Sequence, residues 1–139
     1  MAKPGRQLRI VLAPAAQQDI RELLNWSEKR FGKRARVRYA ALLKQALRDI
    51  AADPDRPGSQ DRPDLAQGVR VYHLFFSRNR VDSAAGTVKA PRHFLIYRKR
   101  DNTAIDILRV LHDARDLERH LPPDRRFEMT KSSNRPRKS

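Results

Sequence analysis

The stretch from Arg92 to Asp116, RHFLIYRKRDNTAIDILRVLHDARD, constrains this chain more than any other. Two short apolar runs, Phe94-Leu95-Ile96-Tyr97 and Ile105 through Leu111, flank a polar break at Arg100-Asp101-Asn102-Thr103. β-Branched and aromatic residues dominate both runs, and Asp and Asn tolerate left-handed backbone and bond their own main chain. The pattern predicts a β-hairpin that reverses at Asp101-Asn102. In the first run Phe94 and Ile96 point one way, Leu95 and Tyr97 the other. In the second, Ile105, Ile107 and Leu111 share one face, Leu108 and Val110 the other. Strands apolar on both faces need cover on both, which places this hairpin at the centre of a sheet.

The rest of the chain arranges itself around that hairpin. Gln7 to Leu12 alternates around Leu8, Ile10 and Leu12 and predicts a first strand. Pro14 suits a first helical position, where its missing N–H costs nothing, and Ala16, Ile20, Leu23, Leu24 and Phe31 recur at helical spacing up to a stop at Gly32. A second helix follows from Lys33 to about Asp53, with Val37, Ala40, Leu43, Leu47 and Ile50 on one side and Pro54 ending it. Asp53 to Gly68 is rich in proline and reads as a loop; Val69 to Phe76 reads as a strand. Ser77 to Pro91 is a polar, small-residued excursion longer than an ordinary hairpin connection. Asp113 to Leu121 predicts a short terminal helix closed by Pro122-Pro123. The class is α+β, in the order β-α-α-β-β-β(-α): a helical hairpin packed on a small, mainly antiparallel sheet. The helices cover one face, and cover for the second comes from a partner chain, from dimerisation or from denser self-packing.

Residues 1–6 form an N-terminal arm, residues 7–121 the domain, and residues 122–139 a basic tail with too few apolar residues to order itself. Roughly 110 residues suffice for one compact core and not for two. Charge narrows the partners. Against 31 Lys and Arg stand 16 Asp and Glu, a formal net charge of +15. The tail holds six basic and two acidic residues, so eleven of those excess charges belong to the rest of the chain. An acidic partner follows: nucleic acid, an acidic protein, or a machine built on nucleic acid. The chain has no cysteine, which excludes disulfides and thiolate metal sites. The four histidines lack metal-ligand spacing, and there is no Gly-rich phosphate loop, Ser/His/Asp arrangement or paired-carboxylate signature. No cofactor is expected. The apolar run Leu8 to Leu12 is short and interrupted by Arg9, so the expectation is a cytoplasmic protein without a signal peptide or membrane segment.

Several stretches resemble the ParE toxins of the RelE/ParE superfamily: Ala13-Pro14-Ala15-Ala16 before a helix carrying Asp19-Ile20, Arg56-Pro57-Gly58, Arg62-Pro63-Asp64-Leu65 before Gly68-Val69-Arg70, His93 to Arg98, and above all Ile107 to Asp116. The similarity covers about Leu8 to Leu121, and the RVLH-x-x-RD stretch is its most specific part. The resemblance implies the element order derived above and a bacterial toxin of a type II toxin–antitoxin system. It also implies that the toxin inhibits DNA gyrase by stabilising the cleaved-DNA complex, and that a cognate acidic ParD-like antitoxin neutralises it in a hetero-oligomer. The excursion Ser77 to Pro91 and the basic tail depart from the family's pattern.

On this reading nothing in the chain is catalytic, and the target- or partner-binding residues are Arg70, Arg98, Arg109, His112, Arg115 and Arg119. Arg109 is either a paired structural arginine or the rim of a partner groove. An alternative is a RelE-like, ribosome-dependent mRNA endonuclease, with Arg98, Arg109 and His112 supplying the cations and proton transfer that RNA cleavage needs. Against it, the position three before Tyr97, where RelE-type nucleases tend to carry arginine, is Phe94, and no tyrosine follows the last strand. A third reading is a non-toxic basic module that binds DNA or protein. Trp26 reads as a packing residue or an interface anchor.

Overall fold

The computed structural model describes residues 7–81, 84 and 86–113. The terminal helix expected after Asp113 and the basic tail lie outside the described residues. The elements run β1 (Arg9–Leu12), α1 (Pro14–Phe31), α2 (Lys33–Ala52), β2 (Ser59–Asp61), β3 (Val69–His73), a 3₁₀ helix (Leu74–Arg80), β4 (His93–Lys99) and β5 (Ala104–His112). They form an α+β fold in which the helices pack on one mixed five-stranded sheet of order β1-β5-β4-β3-β2. The pair β1–β5 is parallel and the other three pairs are antiparallel.

Local chemistry sets the boundaries. Pro14 opens α1, and Gly32 ends it with φ of 96° and starts α2 at once. That left-handed backbone favours glycine over any residue with a Cβ. The hairpin reverses where expected: the Asp101 carboxylate accepts from Thr103 N at 2.7 Å, Thr103 Oγ1 at 2.6 Å and Ala104 N at 3.1 Å.

The larger core lies between helices and sheet and is built from Leu23, Leu42, Ala46, Ile50, Leu95 and Ile107, among others. The second face buries Leu65, Val69, Phe94, Ile96 and Leu111. Leu65 and Ala66, from the loop before β3, pack there, so the chain supplies cover of its own. The β4 faces match the alternation in its sequence. Those of β5 do not, because an irregularity opposite Ile96/Tyr97 shifts the register. As a result Val110 joins Ile105 and Ile107 on the helix side, while Leu108 and Leu111 face the other way.

Two further boundaries differ from the sequence reading. The strand expected through Phe76 stops at His73, where the imidazole Nδ1 accepts the Phe75 N–H at 3.0 Å and turns the chain into the 3₁₀ helix. Within the expected loop, Ser-Gln-Asp forms β2 on the edge of the sheet.

Candidate functional site

Beyond Leu12 the short β1 no longer accompanies β5, and α1 fills the place. Its Asp19 carboxylate accepts from Arg109 Nε at 2.8 Å and Nη2 at 2.9 Å, and from the Val110 backbone N–H at 2.9 Å. The carboxylate stands where a neighbouring strand would have offered a carbonyl. Both partners are largely buried, with side-chain exposures of 19% and 11%. A hollow of about 550 Å³ opens beside this pair, lined by Gln18, Glu22, Trp26, His93 and Leu111 among others.

The open end of the hairpin gathers a polar network. His93 and His112 are paired across β4 and β5, their rings edge to face at 5.4 Å. The Tyr39 hydroxyl accepts the Arg92 N–H at 3.0 Å and sits 2.8 Å from His93 Nδ1. Donation of its proton to Nδ1 satisfies both groups. Burial, outweighing the Arg92 N–H, pushes this hydroxyl up to about 12. His73 faces Asp113 with Nε2 at 2.9 Å. Because Nδ1 of His73 already accepts from Phe75, Nε2 carries the proton and donates it. Arg92 completes the cluster with Nε and Nη2 on Asp113 at 3.1 and 2.9 Å. Burial alone would raise the Asp113 carboxyl, but the bonds from Arg92 and His73 win and hold it below the ordinary carboxylate range. Among the described residues no group of three or more His, Cys, Asp or Glu could hold a metal ion.

Of the six residues singled out in the sequence, the four among the described residues do not converge. Arg109 and His112 belong to the region just described. Arg70 on β3 lies beyond it: its Nε is 2.8 Å from Ser59 Oγ and 3.3 Å from Asp55. Ser59 in turn meets the Tyr97 hydroxyl at 2.6 Å, and that hydroxyl donates to the Pro54 carbonyl at 2.6 Å. Arg98 is exposed near the turn, opposite Val69 and Asp106. Arg115 and Arg119 lie outside the described residues. Sequence reasoning missed the bonds of Asp19 to Arg109, of Tyr39 to His93, and of His73 and Arg92 to Asp113. Their partners stand 21 to 90 positions away, and no local pattern announces such bonds.

A second hollow, about 820 Å³, lies between the helices and the segment before β4 and is lined by Trp26, Phe31, Ala35, Tyr39 and Val88 among others. Trp26, Phe31 and Val37 are all exposed, at 38%, 63% and 58%. Trp26 and Phe31 meet edge to face at 5.7 Å, with Arg30 over both rings.

Comparison with known proteins gives a consistent picture. Residues 10–117 match the family described as the ParE toxin of type II toxin-antitoxin system, parDE. Toxin ParE1 of Mycobacterium tuberculosis strain CDC 1551 / Oshkosh is 28% identical over 113 residues, which span 81% of this chain and 97% of that protein. Toxin ParE1 of strain ATCC 25618 / H37Rv gives the same figures, 28% over 113 residues.

Proposed function

The chain belongs to the ParE toxin family of type II toxin–antitoxin systems, and from that membership we propose that it poisons DNA gyrase by binding. The toxin holds gyrase on cleaved DNA without chemistry of its own, and an acidic ParD-like antitoxin neutralises it in a hetero-oligomer. Target and antitoxin place this activity in the cytoplasm.

One observation carries the choice of binding over RNA cleavage. A ribonuclease brings a cation and a proton-transfer group to one phosphate, within hydrogen-bond reach. Here His112 stands opposite His93, and Arg98 lies five residues further along β4, a separation of about 16 Å at roughly 3.3 Å per residue. Arg109 is engaged by Asp19. This spacing, with Arg109 engaged by Asp19, counts against one phosphate site built from the three residues of the nuclease alternative and supports the binding reading.

In the binding reading Arg98, exposed beside Lys99, meets the target directly. Arg70, Arg109, His112, Arg115 and Arg119 are the further contacts of this proposal, with Arg70 and His112 at separate places on the sheet rather than on one surface with Arg98. The exposed Trp26 and Phe31 give an antitoxin an apolar anchor point within a basic surround, the complement of an acidic chain.

Purified toxin, free of antitoxin, is added to gyrase, ATP and relaxed plasmid. The expected result is loss of supercoiling with accumulation of linear DNA after denaturation. Normal gyrase activity with a folded, toxic protein refutes the proposal and turns attention to the ribosome. There, loss of mRNA cleavage in Arg98→Ala or His112→Ala would establish the nuclease instead.

A further inference from the structure

The 3₁₀ helix that follows β3 presents two consecutive aromatic side chains to solvent, Phe75 at 43% and Phe76 at 47% exposure. Aromatic rings on a strongly basic chain normally find cover, so an exposed pair needs a reason. These rings are held firmly. The His73 imidazole caps the turn at Phe75. At the other end the buried Asp49 carboxylate accepts from Ser77 Oγ at 2.6 Å and Arg80 Nε at 2.9 Å. Gly58, with φ of 100°, lies so close under Phe76 that a Cβ there would come within 2.6 Å of the ring. The two phenylalanines meet edge to face at 5.6 Å, and Tyr72 supports Phe76 at 5.9 Å. The surface is thus organised before anything binds it.

Its charge is equally specific. The Arg78 guanidinium lies 3.6 Å over the Phe75 ring, steadied by its bond to the Phe75 carbonyl at 2.9 Å. Lys89 lines the adjoining hollow of about 470 Å³, together with Phe75, Phe76 and Pro91. Among the described residues neither Arg78 nor Lys89 has an ion-pair partner, whereas Arg80 and Arg92 are occupied by Asp49 and Asp113. Asp113 also borders the hollow, but Arg92 and the His73 N–H already engage it.

We propose that the Phe75–Phe76–Arg78 surface, with Lys89, is a stacking platform for single-stranded nucleic acid. Unpaired bases stack on aromatic rings and on guanidinium planes alike, and a neighbouring ammonium takes the phosphate. A duplex keeps its bases stacked on one another and offers the rings nothing comparable. The net charge of +15 brings polyanions to the whole surface; the exposed rings give one place on it a preference for single strands. This inference goes beyond the gyrase reading and does not rest on it.

The test measures fluorescence anisotropy of a short labelled oligothymidylate and of a duplex of equal length, using the full-length chain at fixed salt. Phe75→Ala, at an exposed position, is expected to weaken single-strand binding by roughly tenfold and to leave duplex binding unchanged. Arg78→Ala weakens single-strand binding by removing a stacking plane, and Lys89→Ala weakens it and lowers the salt slope by about one. Phe75→Trp keeps the affinity, and its added indole emission is quenched as the oligonucleotide saturates, over a constant background from Trp26. Unchanged oligonucleotide affinity in a Phe75→Ala chain with an unaltered melting curve overturns the proposal. So does unquenched emission from Phe75→Trp at saturation. If folded Phe75→Ala loses toxicity while its oligonucleotide affinity stays the same, the platform serves a protein and the nucleic-acid proposal fails.

Discussion

The two ends of the β4–β5 hairpin use the same groups, arginine against carboxylate, for different purposes. At the turn the partners are neighbours in sequence: Arg100 bonds Asp106, and Asp101 bonds Thr103 and Ala104. At the open end the bonds reach across the fold, from Asp19 to Arg109, Tyr39 to His93 and His73 to Asp113. A bond between neighbours fixes a local reversal that hairpin geometry already favours. A bond between distant segments fixes where a helix sits on a sheet. The same pair of side chains should therefore matter far more at one end than at the other.

The largest expected effect tests that directly. Asp19→Ala leaves Arg109 largely buried without its carboxylate and removes the acceptor of the Val110 N–H. The expected cost is about 3 kcal/mol, in the range for removing one partner of a buried pair. Urea denaturation should show a lower midpoint with an unchanged slope. Asp19→Ala combined with Arg109→Ala should cost less than the two single changes together, because the two groups are coupled. An Asp19→Ala midpoint no lower than that of Asp106→Ala would erase the contrast between the two ends.

Tyr39→Phe comes next. It removes one hydroxyl that serves both the Arg92 N–H and His93, an expected loss of about 1–3 kcal/mol. It also carries a pH signature. Burial raises the Tyr39 hydroxyl to about 12, while an unfolded chain releases that proton near pH 10. Between those values the unfolded state binds fewer protons, so stability falls as pH rises through the window. Tyr39→Phe should remove its share of that fall. A smaller fall remains, because burial also raises Tyr72 and Tyr97. Identical alkaline profiles for Tyr39→Phe and the parent chain would show that this hydroxyl is not buried in solution.

These sites also divide what the sequence could reveal from what it could not. Helix ends at Pro14 and Gly32 and the reversal at Asp101 are local events with local signals, and all three stand where the pattern placed them. The short β2 escaped because Ser-Gln-Asp has no strand preference and pairs only because β3 lies beside it. The 3₁₀ helix escaped because Leu74-Phe75-Phe76 continues the apolar run of β3, while His73 and Asp49 bend it away. Arg109 was legible as a charged residue on an apolar strand, but Asp19 stands 90 positions earlier and nothing in either segment names the other. His93 and His112 were visible singly. Their apposition depends on hairpin register, which the irregularity opposite Ile96/Tyr97 resets.

Asp113 sharpens the comparison from the acid side. Bonds from Arg92 and His73 outweigh burial and hold its carboxyl below the ordinary range. A depressed carboxyl stabilises the fold above pH of about 4 and loses that contribution as pH falls through its folded value. The melting temperature of the parent chain should drop across this acid range. Asp113→Asn should start lower near neutrality and drop less on acidification. A parallel drop in both chains would mean that other carboxylates govern acid unfolding.

The smallest effects belong to the turn, and their order is informative. Arg100 is exposed and reaches Asp106, six residues away, with Nη2 at 2.7 Å. Solvent and salt screen such a pair, and holding two long side chains in place offsets much of what remains. Arg100→Ala should leave the melting temperature unchanged at physiological salt and lower it only slightly at low salt. Asp101→Ala should cost more than Arg100→Ala, although it too is exposed, because Asp101 accepts two backbone N–H groups and the Thr103 hydroxyl. Substituting Asn at position 101 should recover much of that loss, since Asn keeps one acceptor oxygen and the same turn preference. If Arg100→Ala instead destabilises the chain as much as Asp101→Ala, charge rather than backbone bonding holds the reversal, and the two ends differ only in burial.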